Sequence, residues 1–394
     1  MSFILLGDEF SFPDGYAATN RVYTYVRGFV ENGINTHVIC FSNDFNPLKK
    51  GTVDGIKFYN TYKPIKRCES FVMRRWYQFA KYINTFCLIK RINKEEKTTS
   101  IIVYTKETMT YVFSYLASKA IHCKLIIENS EHPLRLYQSN IFSKVYGLIK
   151  LRFELLTSDG ILLITQQLID YYSSKLSNTS KLFLVPSTVE PNRFVNKTEV
   201  EISYDYIGYF GSINFGRDNV DLLIKAFAKI SKVHDDIHLL LGGVCLETDK
   251  SLLLSLVNEL GIEAKVHVLN YLSREEITQY IINAKILVLV RSDEPFIEVS
   301  YPSKLTEYLA TGNPVISVKV SEIPRYLHDN ENAYLVNPGD PDALAEKIDF
   351  VLENYKQAKE VGEKGKELTH SVFNYNFQAK RIISFIMQLN NQRF

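Results

Sequence analysis

Short apolar runs alternate with stretches of helical periodicity along nearly the whole chain, and this alternation constrains the fold more than any other feature. The runs have the length and composition of buried parallel strands, and the stretches between them have the spacing of amphipathic helices. Such alternation predicts an α/β protein with doubly wound parallel sheets, whose ligands bind at the carboxyl ends of the strands. The predicted strands are residues 3–6, 36–41, 100–104, 124–128, 160–164, 182–185, 204–210, 237–241, 266–269 and 286–290.

The length of the chain, 394 residues, is enough for two domains of ordinary size. With 46% hydrophobic and 23% charged residues, the composition is that of a globular protein. Residues 195–203 are hydrophilic and have the character of a linker between the two runs of strands and helices. We therefore predict domains at residues 1–195 and 196–372.

The segment 292–316 follows the predicted strand 286–290 and contains the start of a helix. Pro302 suits the first helical position, and Gly312 lies where a left-handed C-terminal cap is expected. The exposed amides of a helix N-terminus attract anions, and Ser303 and Lys304 add a hydroxyl and an ammonium there. This arrangement predicts a phosphate site. The alternative is an ordinary strand-helix unit, in which Lys304 and Glu307 form a solvated pair.

The sequence from Pro302 to Ile316 resembles the nucleotide-sugar site of the retaining GT-B glycosyltransferases of family 4, the glycosyl transferases group 1. The resemblance implies two Rossmann-like domains facing across a cleft. The N-terminal domain would bind the acceptor, the C-terminal domain would bind the nucleotide sugar, and a final helix at about 373–394 would pack back on the N-terminal domain. By the same resemblance, Glu307 binds the ribose, and the backbone of Ser303, Lys304 and Leu305 binds the diphosphate.

A second phosphate-binding loop is predicted after the strand 204–210. It begins at Gly211 and contains a second glycine before the next helix. In the resembling family this loop carries an Arg and a Lys that neutralise the diphosphate, whereas the matching positions here are Ser212 and Asp218. Arg217 is our candidate substitute because its planar guanidinium suits a phosphate, with Lys304 and Arg291 as further cations.

The catalytic candidates lie in loops at the predicted carboxyl ends of strands. The family's first catalytic Glu would fall at Val299, so the adjacent Glu298 is the candidate to face the donor sugar. Glu131 and His132 follow the strand 124–128 and are placed to reach a cleft, where the histidine can exchange protons. In the loop after the first strand, Gly15 and Tyr16 stand where the family usually has a Gly-Gly pair, and the alternative there is a plain connection.

Charge is distributed unevenly along the chain. Residues 1–190 contain 24 Lys and Arg against 16 Asp and Glu, a net charge of +8. The stretch 64–97 is the most basic and is rich in aromatic residues, with apolar residues at helical spacing. This pattern is typical both of a helix on an anionic membrane surface and of a helix packed on its own sheet, and the sequence leaves both open.

The expected function is transfer of a sugar from a UDP- or GDP-linked donor to a glycan or lipid-linked glycan in bacterial cell-surface polysaccharide assembly, with retained configuration, no metal, no cofactor and no nucleic-acid partner. Alternatives are an inactive scaffold or a sugar epimerase of the same fold. A dehydrogenase is disfavoured because the Gly-x-Gly-x-x-Gly spacing is absent from the sequence. The N-terminus does not resemble a signal peptide, and the five cysteines show no Cys-x-x-Cys spacing. We therefore expect a cytoplasmic protein, free or at the inner face of the membrane.

Overall fold

Two parallel sheets, each with helices packed against it, form the cores of two structural units. The computed structural model describes residues 1–15, 17–137, 139–198, 200, 202–269, 272–295 and 299–391. The first unit comprises Met1–Thr188 and Tyr375–Phe394, and the second comprises Val189–Asn374. The predicted strands and helices are present in both.

The first unit contains an eight-stranded sheet in the order β3-β4-β2-β1-β5-β6-β7-β8. Every neighbouring pair is parallel except β3 and β4, which form an antiparallel hairpin at the edge. The strands are β1 (Ser2–Gly7), β2 (Asn35–Cys40), β3 (Lys50–Val53), β4 (Ile56–Asn60), β5 (Thr98–Tyr104), β6 (Lys124–Asn129), β7 (Gly160–Leu163) and β8 (Leu182–Leu184).

The second unit contains a six-stranded sheet in the order β11-β10-β9-β12-β13-β14, and all its neighbouring pairs are parallel. Its central strands are fully buried, which explains their continuous apolar sequences. The strands are β9 (Asp205–Phe210), β10 (Ile237–Gly242), β11 (Val266–Leu269), β12 (Ile286–Leu289), β13 (Val315–Val318) and β14 (Tyr334–Val336).

Helices connect most successive strands, as the sequence periodicity predicts. In the first unit they are α1 (Ala17–Glu31), α2 (Phe71–Glu95), α3 (Thr108–Ala120), α4 (Ile141–Thr157) and α5 (Gln166–Ser173). In the second unit they are α6 (Val220–Ile230), α7 (Glu247–Leu260), α8 (Arg274–Asn283), α9 (Ser303–Ala310), α10 (Ile323–Tyr326), α11 (Pro341–Glu353) and α12 (Tyr355–His370). The last helix, α13 (Tyr375–Asn391), belongs to the first unit.

The chain passes from one unit to the other between Thr188 and Val189, before the predicted position near residue 195. Hydrogen bonds account for the difference. The carbonyls of Val185 and Pro186 accept from Arg21 of α1, at 2.9 and 3.1 Å, and this fixes them in the first unit. The amide of Val189 donates to the carbonyl of Phe373 at 2.9 Å. The first and last residues of the second unit are therefore paired with each other.

Candidate functional site

The candidate donor site lies at the carboxyl edge of the second sheet. β9 and β12 are adjacent and parallel, so the loops that follow them emerge at the same edge. The loop after β9 begins at Gly211, and the segment after β12 leads to α9. The structure therefore brings together the two segments that the sequence analysis selected.

The helix α9 begins at Ser303, one residue later than the sequence spacing suggests, and Pro302 is its N-cap. Pro302 has no side-chain group that could cap the helix. The amide of Leu305 already donates to the carbonyl of Pro302 at 3.0 Å. Of the three predicted backbone donors, Ser303 and Lys304 thus offer the amides nearest the helix end, where the macrodipole is positive.

Lys304 crosses from α9 to the strand β9 and its loop. Its ammonium donates to the hydroxyl of Tyr209 at 2.6 Å and lies 4.2 Å from the centre of that ring. It also pairs with Asp218 at 3.4 Å. Only 16% of the Lys304 side chain is exposed. Burial is the main reason that the pKa of Lys304 is lowered to about 8, and Asp218 only partly opposes this effect.

Glycine is required where the loops after β9 and β10 meet. A Cβ at Gly211 would lie 2.6 Å from the Lys304 ammonium nitrogen. A Cβ at Gly243 would lie 1.9 Å from the carbonyl oxygen of Gly211, and Gly243 has a φ of +139°. Without side chains at these two positions, the two loops and Lys304 pack in direct contact. The sequence analysis gave Gly243 no role, although the Gly-Gly pair after a strand is a recognisable signal.

Two buried tyrosines, which the sequence analysis also missed, hold α9 against β9. The hydroxyl of Tyr308 accepts from the amide of Phe210 at 2.6 Å and donates to its carbonyl at 3.0 Å. The hydroxyl of Tyr209 donates to the carbonyl of Ser212 at 2.7 Å. This bond uses the backbone of Ser212, whose side chain is exposed. These bonds fix the helix N-terminus relative to the loop, so the amides and the ammonium are preorganised.

Arginines add positive charge to this edge. Arg291, at the end of β12, is buried and donates to the hydroxyl of Ser300. The backbone of Arg217 is held by Asn214, whose side-chain oxygen accepts from its amide at 2.7 Å. Both arginines lower the pKa of Lys304 because their charges disfavour its protonated form, whereas the carboxylate of Asp218 raises it.

Glu307 lies one turn further along α9 and pairs with Arg193 at 3.3 Å. Arg193 also donates to the hydroxyl of Thr278 at 2.9 Å. The alternative interpretation of the sequence, a solvated pair between Lys304 and Glu307, is therefore wrong, because each side chain has a different partner from elsewhere in the chain. A carboxylate held in this way still has lone pairs that can accept from hydroxyl groups.

Of the site residues predicted in the first unit, Glu131 lies in an ionic network. Glu131 accepts from Arg135 at 2.9 Å and pairs with Lys106 at 3.0 Å, and Lys106 also pairs with Glu9 at 2.9 Å. His132 packs on the ring of Tyr171 at 4.6 Å.

Burial lowers the pKa of His132, which favours its neutral form, and its Nδ1 accepts from the amide of Leu134 at 3.2 Å. Gly15 packs against Thr19, so closely that a Cβ would lie 2.1 Å from the threonine hydroxyl oxygen. The candidates Tyr16 and Glu298 lie outside the residues that the structure describes.

In the part of the chain that the structure describes, no group of three or more His, Cys, Asp and Glu side chains could hold a metal ion. No described helix is long and apolar enough to cross a bilayer.

Sequence comparisons identify a mannosyltransferase and a synthase among the relatives of this chain. Over 130 residues, the chain is 28% identical to the MMP α-(1→4)-mannosyltransferase of Mycolicibacterium hassiacum, a match that covers 33% of this chain and 30% of the relative. The chain therefore matches less than a third of that enzyme's length. It is 22% identical over 284 residues to the N-acetyl-α-D-glucosaminyl L-malate synthase of Bacillus anthracis, covering 69% of each protein.

Solved structures share the fold over the whole chain. Sucrose-phosphate synthase from Thermosynechococcus elongatus superposes with a TM-score of 0.76 at 17% identity, covering 100% of both chains. HepE from Anabaena, solved in complex with UDP and glucose, superposes with a TM-score of 0.71 at 13% identity, covering 98% of this chain and 100% of that chain. The predicted α/β fold class with two parallel-sheet domains, GT-B, is confirmed.

The family resemblance that the sequence analysis drew from residues 302–316 is also confirmed. Residues 197–368, which include both loops of the candidate site, match the family model described as Glycosyl transferases group 1. Most of the second unit is therefore similar to the glycosyl transferases group 1 family.

Proposed function

We propose that this protein transfers a sugar from a nucleoside diphosphate sugar, linked to UDP or GDP, to an acceptor hydroxyl, with retention of the anomeric configuration. The diphosphate lies at the N-terminus of α9, and the ribose hydroxyls donate to Glu307. The observation that carries the proposal is the mostly buried ammonium of Lys304 at the N-terminus of α9, held 2.6 Å from the Tyr209 hydroxyl on the neighbouring strand.

The chemistry of the leaving group explains why these charges matter. When the glycosidic bond to the diphosphate breaks, negative charge develops on the phosphate oxygens, and preorganised donors stabilise it. The ammonium of Lys304, 2.6 Å from the Tyr209 hydroxyl, and the α9 amides are fixed in position before the donor binds. We propose that these groups suffice and that the reaction needs no metal ion.

The acceptor is proposed to be a glycan or lipid-linked glycan of bacterial cell-surface polysaccharide assembly, bound by the first unit. Three charged and polar side chains at the carboxyl edge of its sheet support this assignment. Glu131 and Lys106 pair at 3.0 Å, and His132, next to Glu131 in the chain, packs on the ring of Tyr171. Such groups can exchange hydrogen bonds with sugar hydroxyls. We assign Glu131 and His132 to the acceptor side and keep Glu298 as the candidate facing the donor sugar.

Binding without transfer is the competing function, and one contact favours it. Asp218 pairs with Lys304, so a bound diphosphate must compete with a carboxylate for the ammonium. Ser212 adds no charge in compensation. In this alternative, the protein would bind a nucleotide sugar but would not cleave it.

Calorimetric titration with UDP, GDP, ADP and their common sugar conjugates tests the donor site. We expect selective binding of one nucleotide, weakened roughly tenfold to a hundredfold in Glu307→Ala and Arg217→Ala, because each loses a charged hydrogen bond. The exposed residues Glu263 and Lys232 provide matched controls, since Glu263→Ala and Lys232→Ala should bind normally. Absence of binding to the wild-type protein at millimolar nucleotide would overturn the proposal.

Transfer to water separates an enzyme from a binding protein without a known acceptor. The conjugate that binds is incubated with the protein, and the freed nucleoside diphosphate is measured. Proton NMR of the sugar as it forms gives its anomeric configuration. Slow release with retained configuration supports the proposed reaction, inverted configuration contradicts retention, and binding without any release supports the competing function.

A further inference from the structure

The first half of α2 extends beyond the core of the first unit. Within this helix, the buried residues are Lys81, Thr85, Leu88, Ile89 and Ile92, so burial begins only at its eleventh residue. In the fully described segment 71–80, no residue is buried. This half is nevertheless rich in large apolar side chains, which is unusual for a helix that lies in solvent.

Four exposed apolar residues of α2 form one stripe. Val72, Trp76, Phe79 and Ile83 recur at helical spacing and are 73%, 56%, 58% and 48% exposed. The sequence analysis left open whether this stripe packs on the sheet. It does not, because the side of α2 that is buried carries Lys81, whose ammonium donates to the carbonyl of Phe41 at 2.7 Å.

The helix α4 has a similar stripe, which the sequence analysis did not identify. Phe142, Val145, Ile149 and Leu156 lie on one side of the helix and are 83%, 50%, 63% and 73% exposed. The opposite side packs inward through Leu151 and Leu155.

The two stripes belong to one layer of helices. Between α2 and α4 lies α3, whose Phe113 contacts Tyr82 of α2 with ring centres 5.3 Å apart, and whose Tyr115 contacts Phe153 of α4 at 6.0 Å. Each of these helices runs back from the carboxyl end of a parallel strand, so their first turns lie at the same edge of the sheet. Six of the eight stripe residues lie within the first nine residues of α2 or α4.

Charge indicates what covers this layer. Residues 64–97 contain nine Lys and Arg against three Asp and Glu, and α4 contains three against one. A second copy of the chain would bring like charge to this layer, which opposes self-association through it. An anionic bilayer surface complements the basic residues and accepts aromatic and aliphatic side chains at the depth of its headgroups.

We propose that the exposed stripes of α2 and α4, residues 72, 76, 79, 83, 142, 145, 149 and 156, dock the protein on an anionic bilayer surface. We call these residues the α2–α4 face. Cations beside them, among them Arg75 and Lys90, contact the lipid headgroups. The docking does not depend on the proposed reaction, because it needs neither nucleotide nor acceptor.

The chain has a built-in reporter for this proposal, because Trp76 is its only tryptophan. The full-length protein is mixed, without nucleotide, with vesicles of phosphatidylcholine containing phosphatidylglycerol, or of phosphatidylcholine alone. With the anionic vesicles, we expect the Trp76 emission to shift to shorter wavelength, lipids brominated on their acyl chains to quench it, and added salt to reverse both effects. No shift with anionic vesicles, or an equal shift with neutral ones, would overturn the proposal.

Paired substitutions separate the contributions of the α2 stripe, the α4 stripe and the cations to vesicle binding, which cosedimentation measures. Phe79→Ser with Ile83→Ser, Phe142→Ser with Ile149→Ser, and Arg75→Glu with Lys90→Glu should each weaken vesicle binding about tenfold or more. All these side chains are exposed, so the fold should survive, as thermal unfolding can check.

Matched controls use exposed residues of the second unit. Val233→Ser with Leu254→Ser, and Lys232→Glu with Lys356→Glu, should bind vesicles like the wild type. Equal losses in these controls would contradict the assignment to the α2–α4 face.

If sedimentation equilibrium shows that the protein forms dimers that the Phe142→Ser, Ile149→Ser variant abolishes, the face is an interface between copies and the proposal fails. Vesicle binding and nucleotide binding are measured separately, so either proposal can fail alone.

Discussion

At the scale of the residue, Lys304 is central to the electrostatics of the candidate donor site. It lies between the Tyr209 ring and Asp218, next to a glycine whose absent side chain makes room for its ammonium. Its pKa of about 8 is low for a lysine because burial disfavours the charged form. A bound diphosphate favours the charged form and raises this pKa again.

This linkage predicts how nucleotide affinity depends on pH. Binding requires the protonated ammonium, so the affinity for the preferred nucleoside diphosphate should be constant well below pH 8. It should then fall by about tenfold per pH unit as the pH rises above 8, because the free protein loses the proton that the complex keeps. Calorimetry between about pH 7 and 9.5, where the diphosphate stays ionised, measures this.

The control for the pH experiment removes the titrating group. Lys304→Met should bind more weakly at neutral pH and show no fall over the same range. An affinity of the wild type that does not change between pH 7 and 9.5 would mean that Lys304 is not in contact with the phosphates.

At the scale of the element, a buried ion pair connects three parts of the first unit. Arg21 of α1 donates to Glu128 of β6 at 2.6 Å, and both side chains are almost fully buried. The other guanidinium nitrogens donate to the carbonyls of Val185 and Pro186, which follow β8. Removing one partner of such a pair leaves a charge buried without compensation.

We therefore predict that Arg21→Met lowers the free energy of unfolding of the first unit by about 3–5 kcal/mol. The double variant Arg21→Met, Glu128→Leu should recover part of this loss, because no charge is then left buried. Arg27 offers a control, since its pair with Glu31 is partly exposed and Arg27→Met should cost about 1 kcal/mol or less. Urea denaturation followed by circular dichroism measures all three. Equal losses for Arg21→Met and Arg27→Met would contradict the prediction.

At the scale of the whole molecule, the chain crosses between units twice, and its last helix completes the first one. α13 packs on α1, where a Cβ at Gly28 would lie 2.4 Å from that of Ala379. Phe385 stacks on Phe183 with ring centres 4.7 Å apart. The hydroxyl of Tyr375 donates to the carboxylate of Glu31 at 2.7 Å.

Deletion of residues 375–394 should therefore unfold the first unit and leave the second folded. The helix buries Ile382, Phe385, Ile386 and Leu389, worth on the order of 6–12 kcal/mol together, which is comparable to the whole stability of a domain. We expect the truncated chain to lose one of two thermal transitions and still bind the nucleotide. Phe377→Ser, at an exposed position of α13, is the control and should keep both transitions. Loss of both in the truncated chain would show that the second unit depends on the first.

The sequence predicted the elements and brought out the two segments of the candidate donor site because both depend on local patterns. Apolar runs identified the strands, and the helix N-terminus at Ser303 was visible from Pro302 and Gly312. The hairpin of β3 and β4 was missed, although Asp54-Gly55, both with positive φ, is a recognisable hairpin turn between its strands. A hairpin interrupts the regular alternation of strands and helices on which the prediction relied.

The partners of the charged side chains were decided by the tertiary structure. Asp218, first interpreted as the loss of a lysine, proved to be the partner of Lys304, and Glu307 found Arg193 more than a hundred residues away. Nor could helical spacing show that the apolar stripe of α2 faces outward. The sequence by itself determined which segments form strands and helices and which loops are candidates for binding phosphate, because these follow from neighbouring residues. Which charges meet, and which faces stay uncovered, depends on contacts between residues far apart in the chain, and only the folded molecule brings those residues together.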